Sequence, residues 1–490
     1  MHINTFRSIH IVIICLVFTA SSCGGSGSSA EEESGNNNQN KNTSDGGADG
    51  SGDTDTDSDS DTDSDSDSDS DTDNDTDSDS DSDGDGEYDR DKDYILVNPS
   101  RSNAAYLINM NKEIVHTWNC DCGPGNHAGY LLEDGTLLRP GQVMNMNFTG
   151  GGGGGKIQKI TWDGTVEWEY TYSSDTVHLH HDLEPMPNGN ILMIAWEIKS
   201  ASEAEDRGRI NAEEMWPDHV IEIEPTGTSG GSIVWEWHAW DHLVQDTDPG
   251  KNNYGDVASN PGRFNINALN SGVKQPPGPG NGGDWLHLNG IGYNPELDQI
   301  VMSSHFMSEL YVIDHNTTTA EAKGAKGDIL YRWGNPQVHD ASGEQKFQVI
   351  HNAHWIQSES TNFFEKALPG AGNILVFNNG ENRKYSTIDE IETPVDGSGK
   401  YTTPSAGDAF GPNDPTWIYE ADPPTSFYAN HISSAQRLPN GNTFICEGTT
   451  GRLFEVTEDG DMVWEYQGQA REIARAIRYP STYPGLDQLD

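Results

Sequence analysis

The chain has 490 residues, with 79 acidic against 28 basic side chains and a net charge of −51. From Asp93 onward 54 acidic and 24 basic residues remain, so about −30 belongs to the C-terminal part, a surface that repels phosphate backbones and excludes a nucleic-acid partner. No apolar run beyond the N-terminus approaches the ~18 residues needed to cross a bilayer, and the body is expected to be soluble.

Residues 1–22 read as a secretory signal: Arg7 precedes the apolar run Ile9 to Phe18, and small residues follow, ending Ala20-Ser21-Ser22-Cys23. These four residues resemble a bacterial lipobox, with Ala20 where that motif usually has leucine. Cys23 is therefore the expected lipidation site, and Gly24 in place of aspartate points to the outer membrane, on its periplasmic or cell-surface side. Residues 23–92 follow as a linker. From Asp53 to Asp85 an acidic residue occupies every second position, so like charges repel and nothing apolar offers burial. That tract is expected to be a disordered, extended spacer. Weak calcium binding by it lacks the glycine turn and fixed ligand positions of a loop site. After export Cys120, Cys122 and Cys446 remain in an oxidising compartment, where an odd number cannot all pair. Cys120-Asp121-Cys122 has no second pair to complete a zinc site and reads as a local or inter-repeat disulfide.

Residues 93–490 are predicted to be all-β, because helical periodicity is nearly absent and short strand patterns alternate with Gly, Asn and Asp turns. A unit recurs in which a strand, a turn and a tryptophan-bearing strand are followed by a Gly-turn hairpin, as in Ile157 to Tyr170 and Leu453 to Tyr466. Related strands end at Trp118, Trp237, Trp333 and Trp417, making six units. Six four-stranded units stacked radially form a six-bladed β-propeller. The tryptophans are expected to pack between blades, and Tyr94 to Val97 to complete the last blade and close the ring. The Gly/Pro/Asn-rich stretch between Trp237 and Trp285 reads as a loop over one face.

Histidines fall at matching positions of several repeats. His181-Asp182 precedes Pro187-Asn188-Gly189-Asn190, His287 lies in Asp284-Trp285-Leu286-His287-Leu288-Asn289, His351 in Ile350-His351-Asn352-Ala353-His354-Trp355, and His431 precedes Pro439-Asn440-Gly441-Asn442. If these residues begin the innermost strands, their imidazoles converge on the axis. Metal binding is the first rival, but the histidines sit on separate repeats with few matching carboxylates, so no metal is expected.

These segments, with Ser303-Ser304, Tyr331-Arg332-Trp333-Gly334-Asn335, Phe377-Asn378-Asn379-Gly380 and the closing Arg475 to Pro480, resemble in order the bacterial arylsulfate sulfotransferases. The resemblance implies a six-bladed propeller that moves a sulfuryl group from aryl sulfates to phenols without a cofactor, in particular without a nucleotide donor such as PAPS. It places the transiently sulfated histidine at His351, the helper histidines at His181 and His287, and substrate contacts at Asn289 and His305. Members of the family commonly have Gln-His where this chain has Ile350-His351, and an arginine where it has His305. Two other readings stand beside this one. The first is a non-catalytic propeller that binds a ligand or protein at the cell surface. The second is a quinoprotein dehydrogenase, which would want a calcium-binding acidic site and usually eight blades, neither of which the sequence contains.

Overall fold

A computed structural model of the protein describes residues 88–119, 123–125, 127–268 and 283–489. The signal segment, Cys23, the acidic tract, Cys120 and Cys122 lie outside these residues. The strand patterns build six antiparallel four-stranded sheets, the six-bladed propeller expected. Blade 1 holds β1 (Tyr94–Pro99), β2 (Ala104–Asn109) and β3 (Ile114–Asn119); blade 2 holds β4 (Tyr130–Leu131), β5 (Leu137–Gln142), β6 (Gly155–Ile160) and β7 (Val166–Thr171). Blade 3 follows with β8 (Val177–Pro185), β9 (Ile191–Glu197), β10 (Asp218–Thr226) and β11 (Gly230–His238). The insertion after Trp237 adds a short parallel pair, β12 (Leu243–Val244) and β13 (Phe264–Asn265). Blade 4 is β14 (Leu288–Asn294), β15 (Gln299–Ser304), β16 (Glu309–Asp314) and β17 (Tyr331–Trp333). Blade 5 is β18 (Ile350–Trp355), β19 (Ile374–Asn378), β20 (Thr387–Ile391) and β21 (Trp417–Tyr419), and blade 6 is β22 (Ser434–Arg437), β23 (Thr443–Glu447), β24 (Arg452–Val456) and β25 (Met462–Gln467).

The ring closes through β26 (Ile473–Tyr479), which pairs antiparallel with β1, Tyr94 opposite Tyr479. Blade 6 is already complete, so the C-terminal strand finishes the first blade, whereas the sequence suggested that the first strand would finish the last. The innermost strands are thus β26, β4, β8, β14, β18 and β22. Residues 88–92, read above as linker, form part of this unit. The Tyr88 ring meets Phe364 edge-on at 5.4 Å, and the Arg90 carbonyl accepts from Arg478 Nη2 at 2.8 Å. Tyr88 supplies the apolar ring that the acidic tract before it lacks.

Each outermost strand carries its tryptophan as predicted, and the indoles do more than pack. Trp168 Nε1 donates to Gly230 O of blade 3 at 2.9 Å, Trp237 to Gly327 O of blade 4 at 2.8 Å and Trp333 to Pro412 O of blade 5 at 2.7 Å. Trp417 reaches Glu458 O of blade 6 at 2.8 Å and Trp464 reaches Met110 O of blade 1 at 3.2 Å. Every acceptor lies at the connection between the third and fourth strands of the next blade. At the sixth junction Trp118 instead meets the Trp162 ring at 5.2 Å. Cys446 is a free thiol buried on β23, and burial pushes its pKa up to about 12, so it takes no part in redox pairing.

Candidate active site

A residue with left-handed backbone lies within or just before each innermost strand: His127 (φ 50°), His181 (52°), His287 (52°), Asn352 (53°), Ile432 (50°) and Glu472 (58°). For non-glycine residues this conformation costs of order 1–3 kcal/mol each, a strain that collects at functional sites. It breaks the strand register of β8 between Leu179 and Leu183 and of β18 between His351 and His354, freeing those side chains from the ladder. The result is an arc of imidazoles. Ring centroids are 4.7 Å apart for His127 and His181, 4.4 Å for His181 and His287, 5.1 Å for His287 and His305, and 5.7 Å for His305 and His351. The backbone of the run Gly150 to Gly155 crosses this arc. At Gly152 (φ 79°) a Cβ would fall 2.2 Å from the His181 ring, so only glycine fits there.

His351 has a defined tautomer. Asn379 Nδ2 donates to Ala429 O at 2.8 Å and Ile432 O at 3.0 Å, so its Oδ1 must face His351 Nδ1, 2.7 Å away. Nδ1 therefore carries the proton, and the Nε2 lone pair accepts from Ile432 N–H at 3.1 Å. The ring lone pair thus lies on Nε2.

The other rings are held from behind. His181 Nδ1 lies 2.8 Å from His180 Nδ1, a spacing that needs one proton between the two nitrogens, so the pair cannot be doubly charged. His180 stacks on Trp196 at 3.9 Å, and its Nε2 is 2.9 Å from Asp218 Oδ1. Trp196 Nε1 also donates to Asp284 Oδ1 at 3.1 Å, and the other oxygen of Asp284 accepts from His287 Nδ1 at 2.5 Å, which turns His287 Nε2 toward the arc. Asn289 donates to Ile350 O at 2.8 Å and accepts from Ser303 Oγ at 2.7 Å, leaving one amide hydrogen unused. His431, at the matching repeat position, does not join the arc: it is half-buried and pairs with Glu472 at 3.0 Å.

Burial holds His127, His180, His181, His305 and His351 neutral. It lowers the pKa of His127 and His351 to about 3 and takes His180, His181 and His305 well below the ordinary imidazole range, with neighbouring imidazoles adding to the effect. Among the described residues no three His, Cys, Asp or Glu side chains are disposed to hold a metal ion. A cavity of ≈ 20 Å³ adjoins His351, with His127, Asp182, Asn289 and Arg475 in its wall. Asn352 and Arg475 also line a larger cavity of ≈ 100 Å³ whose wall includes Tyr130, Glu184, Phe363 and Phe364. His127 and His180 escaped the sequence reading. His127 had a signal, since it stands at the same distance before Gly135 as His181 before Gly189.

A sequence model of the Arylsulfotransferase (ASST) family matches residues 134–485, a span that contains His181, His287, His305 and His351. The chain belongs to the arylsulfotransferase family. Membership gives it a sulfotransferase activity, with aryl sulfates and phenols as the substrate class. No curated protein matches it in sequence. Among solved structures this arylsulfotransferase is similar to a protein of unknown function from Bacteroides caccae, at 14% identity and TM-score 0.40 over 79% of this chain and 99% of that one. It is also similar to the hydrazine synthase of Kuenenia stuttgartiensis, at 15% identity and TM-score 0.34 over 61% and 68%. A third likeness is to virginiamycin B lyase from Staphylococcus aureus, at 13% identity and TM-score 0.32 over 78% and 83%. Likenesses this distant carry no argument about activity.

Proposed function

We propose that the protein transfers a sulfuryl group from an aryl sulfate to a phenol through a sulfohistidine at His351, without a nucleotide sulfate donor. The observation that carries this reading is the Asn379 clamp, which fixes a buried neutral imidazole with its lone pair on Nε2. In the first half-reaction Nε2 gives up its contact with Ile432 N–H and attacks sulfur. The bond from sulfur to the aryl oxygen breaks, and its electron pair stays on the phenolate. His351 keeps its Nδ1 proton, so the adduct pairs an imidazolium with an –SO₃⁻ group, and the released Ile432 N–H can donate to a sulfuryl oxygen. A bound anion raises the basicity of the nearby imidazoles, so that His181 or His287 takes up a proton from solvent as the donor binds, passes it to the phenolate and returns to the neutral ring. In the second half-reaction the same imidazole removes the proton of the acceptor phenol, whose oxygen attacks sulfur and frees Nε2. His305 and the unused amide hydrogen of Asn289 help surround the charge on the transferring oxygens. The N-terminal signal and Cys23 would place this chemistry outside the cytoplasm, tethered by lipid at the outer membrane.

The experiment is to incubate the full chain with a chromogenic aryl sulfate and no acceptor. One sulfuryl group is expected on the peptide that holds His351, and added phenol should discharge it. A sulfuryl group on another residue, or turnover only with a nucleotide sulfate, would overturn the proposal.

A further inference from the structure

An aryl sulfate is anionic, yet it must enter a protein of net charge −51 and meet imidazoles, those of His181, His305 and His351, that burial keeps uncharged. Some group beside His351 has to balance the oxyanion. Beside His351 the wall of the small cavity there includes His127, Asp182, Asn289 and Arg475, and among the described residues Arg475 is its one guanidinium. Arg475 arrives on β26, the strand that closes the ring. Its Nη2 donates to Asp182 Oδ2 at 2.5 Å and its Nη1 to Tyr130 Oη, while its Nε is buried with no hydrogen-bond partner. His127 Nε2, in the same wall, is buried and unpartnered as well. Asp182 on its own would repel an anion from this cavity. The arginine neutralises it and leaves a further N–H over. A buried donor without a partner is costly, and an oxyanion with several acceptor oxygens satisfies it. The cavity of ≈ 20 Å³ has room on the scale of one water and is too small for an aromatic ring, so only a small polar end of the substrate can reach into it.

We propose that Arg475, with His127 beside it, is the seat of the transferring sulfuryl oxygens, and that Asp182 serves to hold the guanidinium in place. This rests on the sulfuryl transfer proposed above. Both residues then touch substrate, which distinguishes them from the rings that His180, Asp218 and Asp284 support from behind.

Removing Arg475 alone would strand Asp182 as a buried unpaired charge and endanger the fold, so the test removes both partners: Asp182→Asn with Arg475→Gln. In this double variant the thermal transition should stay close to that of the wild type. The KM for 4-nitrophenyl sulfate should rise roughly 10- to 100-fold, with the KM for the phenol acceptor little changed. Asp182→Asn with Arg475→Lys should recover part of the loss, and His127→Leu should weaken donor binding more than His127→Gln. Unchanged kcat/KM for the donor in the folded double variant, or lysine no better than glutamine, would overturn the seat. Calorimetric binding of 4-nitrophenyl sulfate separates the two proposals. A wild-type protein that binds the ester, loses that binding in the double variant and transfers nothing would remove the activity and leave the seat standing.

Discussion

The rim of the propeller carries an indole on every blade and the axis an arc of five imidazoles from blades 2 to 5, and the two sets are wired in opposite ways. At the rim five indoles donate across five blade junctions to backbone carbonyls, and only the sixth, Trp118, packs on Trp162 with its Nε1 unpartnered. Indole has one donor and no acceptor, so once bonded it has nothing left to offer. At the axis His127, His181 and His287 sit on strained backbone, the five rings lean on one another, and some nitrogens have no partner, among them His127 Nε2 and His305 Nδ1. Imidazole both donates and accepts, and burial has removed its charge without removing its lone pair. The same repetition that multiplies a clamp at the rim multiplies a chemical group at the axis. What separates them is whether the neighbouring blade satisfies the ring.

If that contrast is right, the two rings should fail differently. The largest expected effect is at the axis: His351→Asn should abolish both labelling and turnover while the thermal transition stays nearly unchanged. His181→Asn or His287→Asn should slow turnover by ~10²–10⁴, the range for a lost proton donor or charge stabiliser, again with little change in unfolding. At the rim, Trp237→Ala should cost about 3–5 kcal/mol in urea unfolding and Trp237→Phe about 1 kcal/mol, with kcat per folded molecule preserved in both. An inactive but stable Trp237→Phe protein would break the comparison. Acid should sharpen it. His127 and His351 have folded pKa values lowered to about 3, so between there and the ordinary value near 6.5 the unfolded chain binds more protons. Their contribution to stability is complete above about 6.5 and is lost as pH falls toward 3. The unfolding free energy should drop between pH 7 and 5, less steeply in His127→Gln or His351→Asn than in Trp237→Phe. The smallest effect concerns the tail: a chain starting at Tyr88 should unfold at the full-length temperature, whereas one starting at Asp93 loses the Tyr88 contact with Phe364 and unfolds earlier.

The fold was legible because rim tryptophans and Asn-Gly hairpins are local signals repeated along the chain. His181, His287 and His351 were legible for the same reason. What escaped is what the repeat does not encode. His180 hides beside His181, with its importance set by Asp218 and Trp196 on later strands. His127 precedes a strand of only two residues, too short to show a pattern. Arg475 reaches Asp182 across most of the chain, a contact that exists only because the ring closes. The boundary at Asp93 was missed because composition draws it at the last acidic cluster, whereas Tyr88 is held by a partner far along the sequence.

The closing strand also sets an order of events. Blades 2 to 6 are each built from consecutive strands, so their hairpins can form as the chain emerges, while blade 1 waits for Ile473 to Tyr479 to return to its inner edge. The Arg475 guanidinium, in the wall of the cavity beside His351, travels on that same segment. If Arg475 is the seat proposed above, a chain in which Ile473 to Tyr479 has not yet docked holds the histidines without their counter-charge, and competence for chemistry waits for that strand.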